Sequence, residues 1–270
     1  MSKEKVRLDT LLVKRGFYDS RRRAQAAIMA GLVLVAEEKV NKAGTRIKKD
    51  APLRILGDDH PYVSRGGLKL AKALRVFEIK LDGKVVLDVG ASTGGFTDCA
   101  LKHGAKRVYA VDVGWGQLAW PLRQDPRVAV WERTNIRYLQ PDHLPERVDF
   151  ACIDVSFISL KKVLPALAKL LLPEGEVVAL IKPQFEAGRE KVGRGGVVRD
   201  PAVHREVLHR VVLAARHLGF GILGLTFSPL RGAKGNREYL LYAKRDAVGL
   251  EGPLDEIIKN TVTLAWQEVK

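Results

Sequence analysis

Two lysines and two carboxylates stand out in this chain of 270 residues because three of the four sit at the edge of an apolar run. Asp154 closes the run 150–155, Lys182 follows the run 177–181, and Glu238 immediately precedes the run 239–243. Lys69 lies on the helical segment ahead of the first run, in Ser64-Arg65-Gly-Gly-Leu-Lys69. Such a set suits removal of a proton from a weakly acidic hydroxyl. A free lysine has a pKa of about 10.4; a second ammonium and partial burial lower it toward neutrality, while carboxylates fix its position. A second piece of chemistry is the turn Asp88-Val-Gly90-Ala91-Ser92-Thr-Gly94-Gly95-Phe96. A glycine-rich turn from strand to helix lets a ligand approach the backbone closely and leaves amide donors free. Its spacing is not the dinucleotide fingerprint G-x-G-x-x-G. Asp112 ends the next apolar run, 24 residues beyond Asp88, where an acid can accept hydrogen bonds from ribose hydroxyls. An adenosine ligand without phosphates is therefore expected.

These residues need a frame. Apolar runs at 85–89, 108–113, 150–155, 177–181, 221–227 and 239–243 alternate with helical patterns, among them 160–172 and 203–218. Ser64 is placed to cap a helix carrying Leu68, Leu70, Ala71 and Leu74. Strands buried on both faces and separated by helices imply an α/β domain with a mostly parallel, doubly wound sheet. Sheets of that kind bind ligands at the carboxyl ends of their strands. If the final strand runs antiparallel, its start lies at that same edge, and Asp154, Lys182 and Glu238 gather with Lys69 covering them.

The first 56 residues are a separate, small α+β unit. They hold 14 Lys/Arg against 6 Asp/Glu, over half of the chain's net excess of +15. Leu8, Leu11 and Leu12 have helical spacing with Gly16 as a stop; Ser20 can cap a second helix through Ala24, Ala27 and Ile28. Val33 and Val35 suggest a strand, residues 41–44 a turn, and Ile47, Leu53 and Ile55 a second strand. Arg21, Arg22 and Arg23 open the second helix, the wrong end for cations by the helix dipole, which points to a polyanion as their partner. Residues 57–62 have the composition of a linker, so the division expected is 1–60 and 61–270.

The first unit resembles the S4 RNA-binding domain, in Arg7-Leu8-Asp9, Ser20-Arg21, Ala24, Ile28, Gly31 and the Val-x-Val strand. That resemblance implies RNA contacts from Arg7, Lys14, Arg15, Arg21, Arg22, Arg23 and Lys42; Arg65, beyond the linker, is a further expected RNA contact. The glycine turn with its later acid looks like the S-adenosylmethionine site of Rossmann-like methyltransferases. The Lys–Asp–Lys–Glu order resembles the FtsJ/RrmJ-type ribose 2'-O-methyltransferases. The whole chain is similar to the TlyA family of ribosomal RNA methyltransferases, also labelled haemolysin A. The pieces that carry this likeness are SRGGLKL at 64–70, DVGASTGGFTDC at 88–99, CIDVSFISL at 152–160, IKPQFE at 181–186 and KGNREYLLY at 234–242. It implies a catalytic set of Lys69, Asp154, Lys182 and Glu238 with Lys182 as base. It further implies a cofactor site of Asp88, Gly90, Ala91, Ser92, Gly94, Gly95, Phe96, Asp112 and Asn135, and 2'-hydroxyls of ribosomal RNA cytidines as substrate. The glycine- and arginine-rich loop 185–199 would be a mobile clamp on the RNA.

Other classes fit poorly. Cys99 and Cys152 are too few for a disulfide framework or a cysteine-built zinc site, and no metal site is expected. The amino terminus lacks a signal-peptide core, and the longest apolar stretch, 218–227, holds three glycines and is too short to span a bilayer. A cytoplasmic protein working on ribosomal RNA or ribosomal subunits, without stable membrane association, is expected. Gly90-Ala-Ser92-Thr-Gly94 also satisfies the G-x-S-x-G hydrolase elbow, but His204, His209 and His217 fall in a helical pattern, where a triad histidine is not placed. The rival functions are a membrane-active haemolysin, which needs an exposed apolar segment, and an RNA-binding protein with an inactive enzyme domain.

Overall fold

A computed structural model describes residues 5–15, 17–18, 20–55, 60–250 and 252–268. The expected stop at Gly16 and residues 57–59 of the linker lie outside these. Contacts divide the chain into Met1–Pro61 and Tyr62–Lys270.

The first unit runs β1 (Lys5–Arg7), α1 (Leu8–Lys14), α2 (Arg21–Met29), β2 (Val33–Val35), β3 (Glu38–Lys39), β4 (Arg46–Lys48) and β5 (Leu53–Ile55). Leu8, Leu11 and Leu12 of α1 pack against Ala24, Ala27 and Ile28 of α2, with Val33 and Ile47 completing the core. Ser20 caps α2, its Oγ accepting from the Arg23 amide. Ile47, Leu53 and Ile55 do not share a strand. The Lys48–Ala51 turn and Pro52, which has no amide to donate, break the run. β4 therefore pairs with β1, while β5 pairs with β2.

The second unit continues with α3 (Gly66–Val76), β6 (Val85–Val89), α4 (Gly95–Lys102), β7 (Arg107–Val111), α5 (Trp120–Gln124), β8 (Val128–Trp131), β9 (Val148–Ile153), α6 (Leu164–Leu170), β10 (Leu171–Ile181), α7 (Pro183–Glu186), α8 (Pro201–His217), β11 (Phe220–Phe227), β12 (Tyr239–Arg245) and α9 (Leu254–Glu268). Seven strands form one sheet in the order β11-β12-β10-β9-β6-β7-β8. The five from β10 to β8 are parallel, and β12 runs antiparallel to both of its neighbours. Alternation along each strand sends Val85, Leu87 and Val89 into a core with α6, α8 and α9, and Val86 into a second core with α3 and α4. From β6 the chain winds one way through β7 and β8, then returns to β9 on the other side. That reversal opens a crevice beyond the carboxyl ends of β6 and β9.

Two local expectations are corrected, and one strand is added. Ser64 does not cap α3: the helix starts at Gly66, and Ser64 offers only its carbonyl, to the Gly67 amide. The helical pattern 160–172 splits into a 3-10 turn at Leu160–Lys162 and the short α6, because Pro165 fits only a first helical turn and Leu171 already pairs in β10. β8 has no clear signal, being four half-buried residues at the sheet edge.

Candidate active site

The glycine turn after β6 is held by the neighbouring strand ends. The amides of Gly90 and Ala91 donate to Val111 O at 2.9 and 3.2 Å. Gly90 has φ +86°, and a Cβ there would stand 2.5 Å from the carbonyl oxygen of Asp154. Only glycine allows the turn and the end of β9 to lie so close. Gly94, at φ +98°, leaves no room for a Cβ, which would clash with Leu122 Cδ1 and stand 2.8 Å from Leu118 Cδ1, and α4 begins at the next residue. Asp112 ties the turn down: its Oδ2 accepts from the Ser92 amide at 2.8 Å and its Oδ1 from the Gly114 amide at 2.7 Å.

Asp88 is not part of the pocket wall. Its position in β6 turns the side chain toward α4, where it is fully buried and accepts from Thr97 Oγ1 at 2.6 Å. Its Oδ1 has no partner among the described residues. Burial outweighs the Thr97 hydrogen bond and, with the Asp154 and Asp112 charges, pushes the carboxyl up to about 7. A carboxyl protonated in the fold but ionised in the unfolded chain costs stability as pH rises from about 4 to about 7. Asp88→Asn carries no such penalty. Its melting temperature relative to the parent should climb across that interval and level off above it, which parallel thermal scans at several pH values will measure.

Lys69, Asp154, Lys182 and Glu238 meet at the crevice. Pairing of Ile181 with Tyr239 sets Lys182 beside Glu238 one step past the strands, and pairing of β9 with β6 brings Asp154 next to the turn. Lys69 Nζ lies 2.7 Å from Glu238 Oε2 and 3.7 Å from Asp154 Oδ2. Lys182 Nζ lies 2.6 Å from Asp154 Oδ1 and donates to Ser156 Oγ at 2.9 Å. Both ammoniums are almost covered, with side chains 12% and 10% exposed. Burial favours loss of the Lys69 proton, but Asp154 and Glu238 outweigh it and the net shift is upward. Lys69 is thus a fixed cation. Lys182 has one carboxylate and a hydroxyl.

Two adjoining cavities share Gly90, Ser92, Asp154 and Ser156. The first, about 380 Å³, is lined by Arg65, Lys69, Ala91, Gly95, Phe96, Lys182 and Arg231 among others. The second, about 410 Å³, takes in Asp112, Gln117, Thr134, Asn135 and the apolar Val113, Ile136 and Ile158. The Asp112 end of this second cavity, with its apolar walls, fits an adenosine-type ligand: each Asp112 oxygen has a lone pair beyond the amide it accepts. Asn135 is also at work locally, its Oδ1 capping the 3-10 turn at Ile136–Tyr138. Ser156, Gln117, Thr134 and Arg231 were not legible as site residues, because polar residues in loops after strands carry no periodicity.

The remaining predicted residues divide. Among the described residues no histidine lines either cavity at Ser92, whose Oγ meets Gln117. His204 is buried between Tyr239 Oη and Val198 O, His209 faces Asp255 and His217 meets Leu213 O, so the described residues form no hydrolase triad. The loop 185–199 is tied down: buried Asn236 accepts from the Val198 amide at 3.1 Å and donates to Gly196 O at 2.9 Å. In the first unit, Arg7 and Arg21 share one carboxylate, that of Asp9. Arg15 instead bonds the carbonyls of Lys49 and Ala51, holding the turn between β4 and β5. Lys14, Arg22, Arg23 and Lys42 are exposed.

Residues 62–245 match the FtsJ-like methyltransferase family, and residues 6–52 match the S4 domain. YqxC of Bacillus subtilis, described as a candidate rRNA methyltransferase, is 52% identical over 263 residues, covering 96% of this chain and 94% of its own. TlyA of Mycobacterium tuberculosis, named a 16S/23S rRNA (cytidine-2'-O)-methyltransferase, is 45% identical over 241 residues, 89% of this chain and 90% of its own. A solved structure from Streptococcus thermophilus, described as a candidate hemolysin, superposes with a TM-score of 0.78 at 46% identity, covering 99% of this chain and 98% of that one.

Proposed function

Because the chain belongs to the TlyA family of FtsJ-like methyltransferases, we propose that it methylates the ribose 2'-hydroxyl of a cytidine in ribosomal RNA. The observation that carries this reading is the meeting of Lys69, Asp154, Lys182 and Glu238 beside the glycine turn. When bound, S-adenosylmethionine supplies a methyl group on a cationic sulfur, the electrophile for such a transfer. Gly90, Ser92, Asp112, Gln117 and Asn135 would hold it.

The chain's own part is to prepare the nucleophile. A ribose hydroxyl is a weak nucleophile until its proton is taken. Lys182 Nζ first passes its own third proton to solvent. As the free amine it accepts the hydroxyl proton and becomes the ammonium again, while Asp154 and Ser156 aim it. Lys69, kept charged by Asp154 and Glu238, stabilises the oxygen as negative charge develops on it. Arg65 and Arg231 on the wall of the first cavity are placed for the phosphates flanking the target ribose. Phe157, 90% exposed and 5.0 Å from Phe185 between ring centroids, offers a face on which an unstacked base can lie. The S4 domain supplies a further basic surface for structured RNA.

The test is to incubate the purified protein and S-adenosylmethionine with ribosomal subunits that lack the modification. New cytidine 2'-O-methyl groups, mapped by resistance to alkaline hydrolysis, support the reading; none in either subunit removes it. No helix among the described residues is long and apolar enough to cross a membrane; leakage of dye from liposomes treated with the purified protein would favour the membrane-lytic reading. An enzyme domain that had lost its cofactor site would bind no S-adenosylmethionine in a calorimetric titration.

A further inference from the structure

The first unit has a net charge of +8 over residues 1–56, yet it buries one carboxylate completely. Asp9 stands in the first turn of α1, and its two oxygens take up six hydrogen bonds. Oδ1 accepts from Arg7 Nε at 3.1 Å, the Thr10 amide at 2.8 Å and Thr10 Oγ1 at 3.2 Å. Oδ2 accepts from Arg7 Nη2 at 2.9 Å, Arg21 Nη2 at 3.1 Å and Gln25 Nε2 at 2.7 Å. The acid is therefore fully spent on its neighbours. The arginines are not: their side chains stay 47% and 56% exposed, and each guanidinium keeps donors that Asp9 does not use. Residues 42–45 are docked onto the same place. The Leu8 amide donates to Thr45 O at 2.9 Å and the Asp9 amide to Ala43 O at 3.2 Å, while Gly44 lies against the Arg7 guanidinium. The start of α1, the start of α2 and the turn bearing Lys42 thus meet around one buried charge.

We propose that Asp9 is a positioning residue for RNA binding, holding Arg7 and Arg21 as a preformed pair of phosphate donors beside the Lys42 turn. This rests on the proposal that the S4 domain of this enzyme binds RNA. Long arginine side chains free in water must be immobilised when they grip a phosphate, and an anchor that has already ordered them removes that cost from binding. Hydrogen bonds from Arg7, against the pull of burial and with Gln25, Arg21 and Thr10 in support, hold the Asp9 carboxyl well below the usual carboxylate range. The anchor stays ionised at any working pH. A planar guanidinium gripped along one edge keeps its remaining donors aimed outward, which a flexible ammonium would not do.

The inference runs against simple charge counting, and that makes it testable. Asp9→Asn removes a negative charge from a basic unit and raises its net charge by one, so simple charge counting predicts tighter binding to every polyanion. The experiment measures binding of the full chain, at one fixed salt concentration, to transcribed 23S ribosomal RNA and to poly-uridylate. The expected result is about tenfold weaker binding of Asp9→Asn to the ribosomal transcript, with poly-uridylate binding unchanged or tighter. Gln25→Met alters no charge and removes one of Asp9's supports; a few-fold loss on the transcript alone is expected. If Asp9→Asn melts the first unit, so that both RNAs are lost together, Gln25→Met decides by the same ratio. Transcript affinity equal to the parent's in the folded variants overturns the assignment. A parent protein that binds both RNAs equally overturns this inference alone, and one that binds neither overturns the RNA-binding role beneath it.

Discussion

Lys182→Met leaves a folded protein that still binds S-adenosylmethionine, but methyl transfer to ribosomal RNA falls by about 10³-fold or more. Methionine fills the space of the lysine stem and removes only the amine. The substitution withdraws the group assigned to take the hydroxyl proton, a contribution of typically about 10²–10⁴. It withdraws one of the two cations beside the reacting oxygen as well. Asp154 is not stranded, because Lys69 remains 3.7 Å from its Oδ2, so the fold tolerates the change. Single-turnover rates on ribosomal subunits, set beside a calorimetric titration with the cofactor, separate chemistry from binding. A variant transferring methyl groups at the parent rate would remove Lys182 from the mechanism.

Gly90→Ala is expected to weaken cofactor binding about 100-fold and to lower the melting temperature by about 5–10 °C. Two costs combine. An L-residue at φ +86° is strained by roughly 1–2 kcal/mol. The new methyl also meets the Asp154 carbonyl oxygen at 2.5 Å, and overpacking of this kind costs about 1–3 kcal/mol. Asp154 cannot step back freely, since its amide is bonded to Val89 O at 2.9 Å. The turn must therefore move, and with it the wall of both cavities. Gly83→Ala is the matched control: it too has a positive φ, +70°, but nothing stands within 4 Å of the added methyl. That variant should pay only the backbone strain and bind S-adenosylmethionine as the parent does. Equal effects in the two variants would mean that the close approach at Gly90 has no part in the site.

Much of the site could be read from the chain because strand ends are marked by their own apolar runs. Asp154, Lys182 and Glu238 each stand next to one, and a doubly wound sheet brings such ends to one edge. The antiparallel direction of β12 was a condition rather than a reading, and the register of Ile181 with Tyr239 is a property of the folded sheet alone. Asp88 shows the limit of the strand-end rule. It lies one residue before the end of β6, so alternation turns it under α4 instead of out to the ligand. Ser156 could not be singled out, since its role depends on where the Lys182 amine arrives from a strand 26 residues away. In the first unit, the basic residues looked alike in sequence. Only the structure distinguishes Arg7 and Arg21, anchored on Asp9, from Arg15, which is committed to backbone carbonyls.

The buried amide of Asn236 has a bearing on anyone who would edit this protein. Residues 193–197 form a small glycine-rich hairpin on the surface, the sort of excursion that is trimmed first when a shorter or more rigid version is wanted. Trimming it discards Gly196 O, the acceptor for an amide 40 residues downstream and two residues before Glu238. Val198 bonds both Asn236 and His204, and His204 bonds Tyr239 on the far side of Glu238. The hairpin and the glutamate are thus moored to the same posts, and a deletion made for convenience at the rim would be felt as slack in the innermost acid.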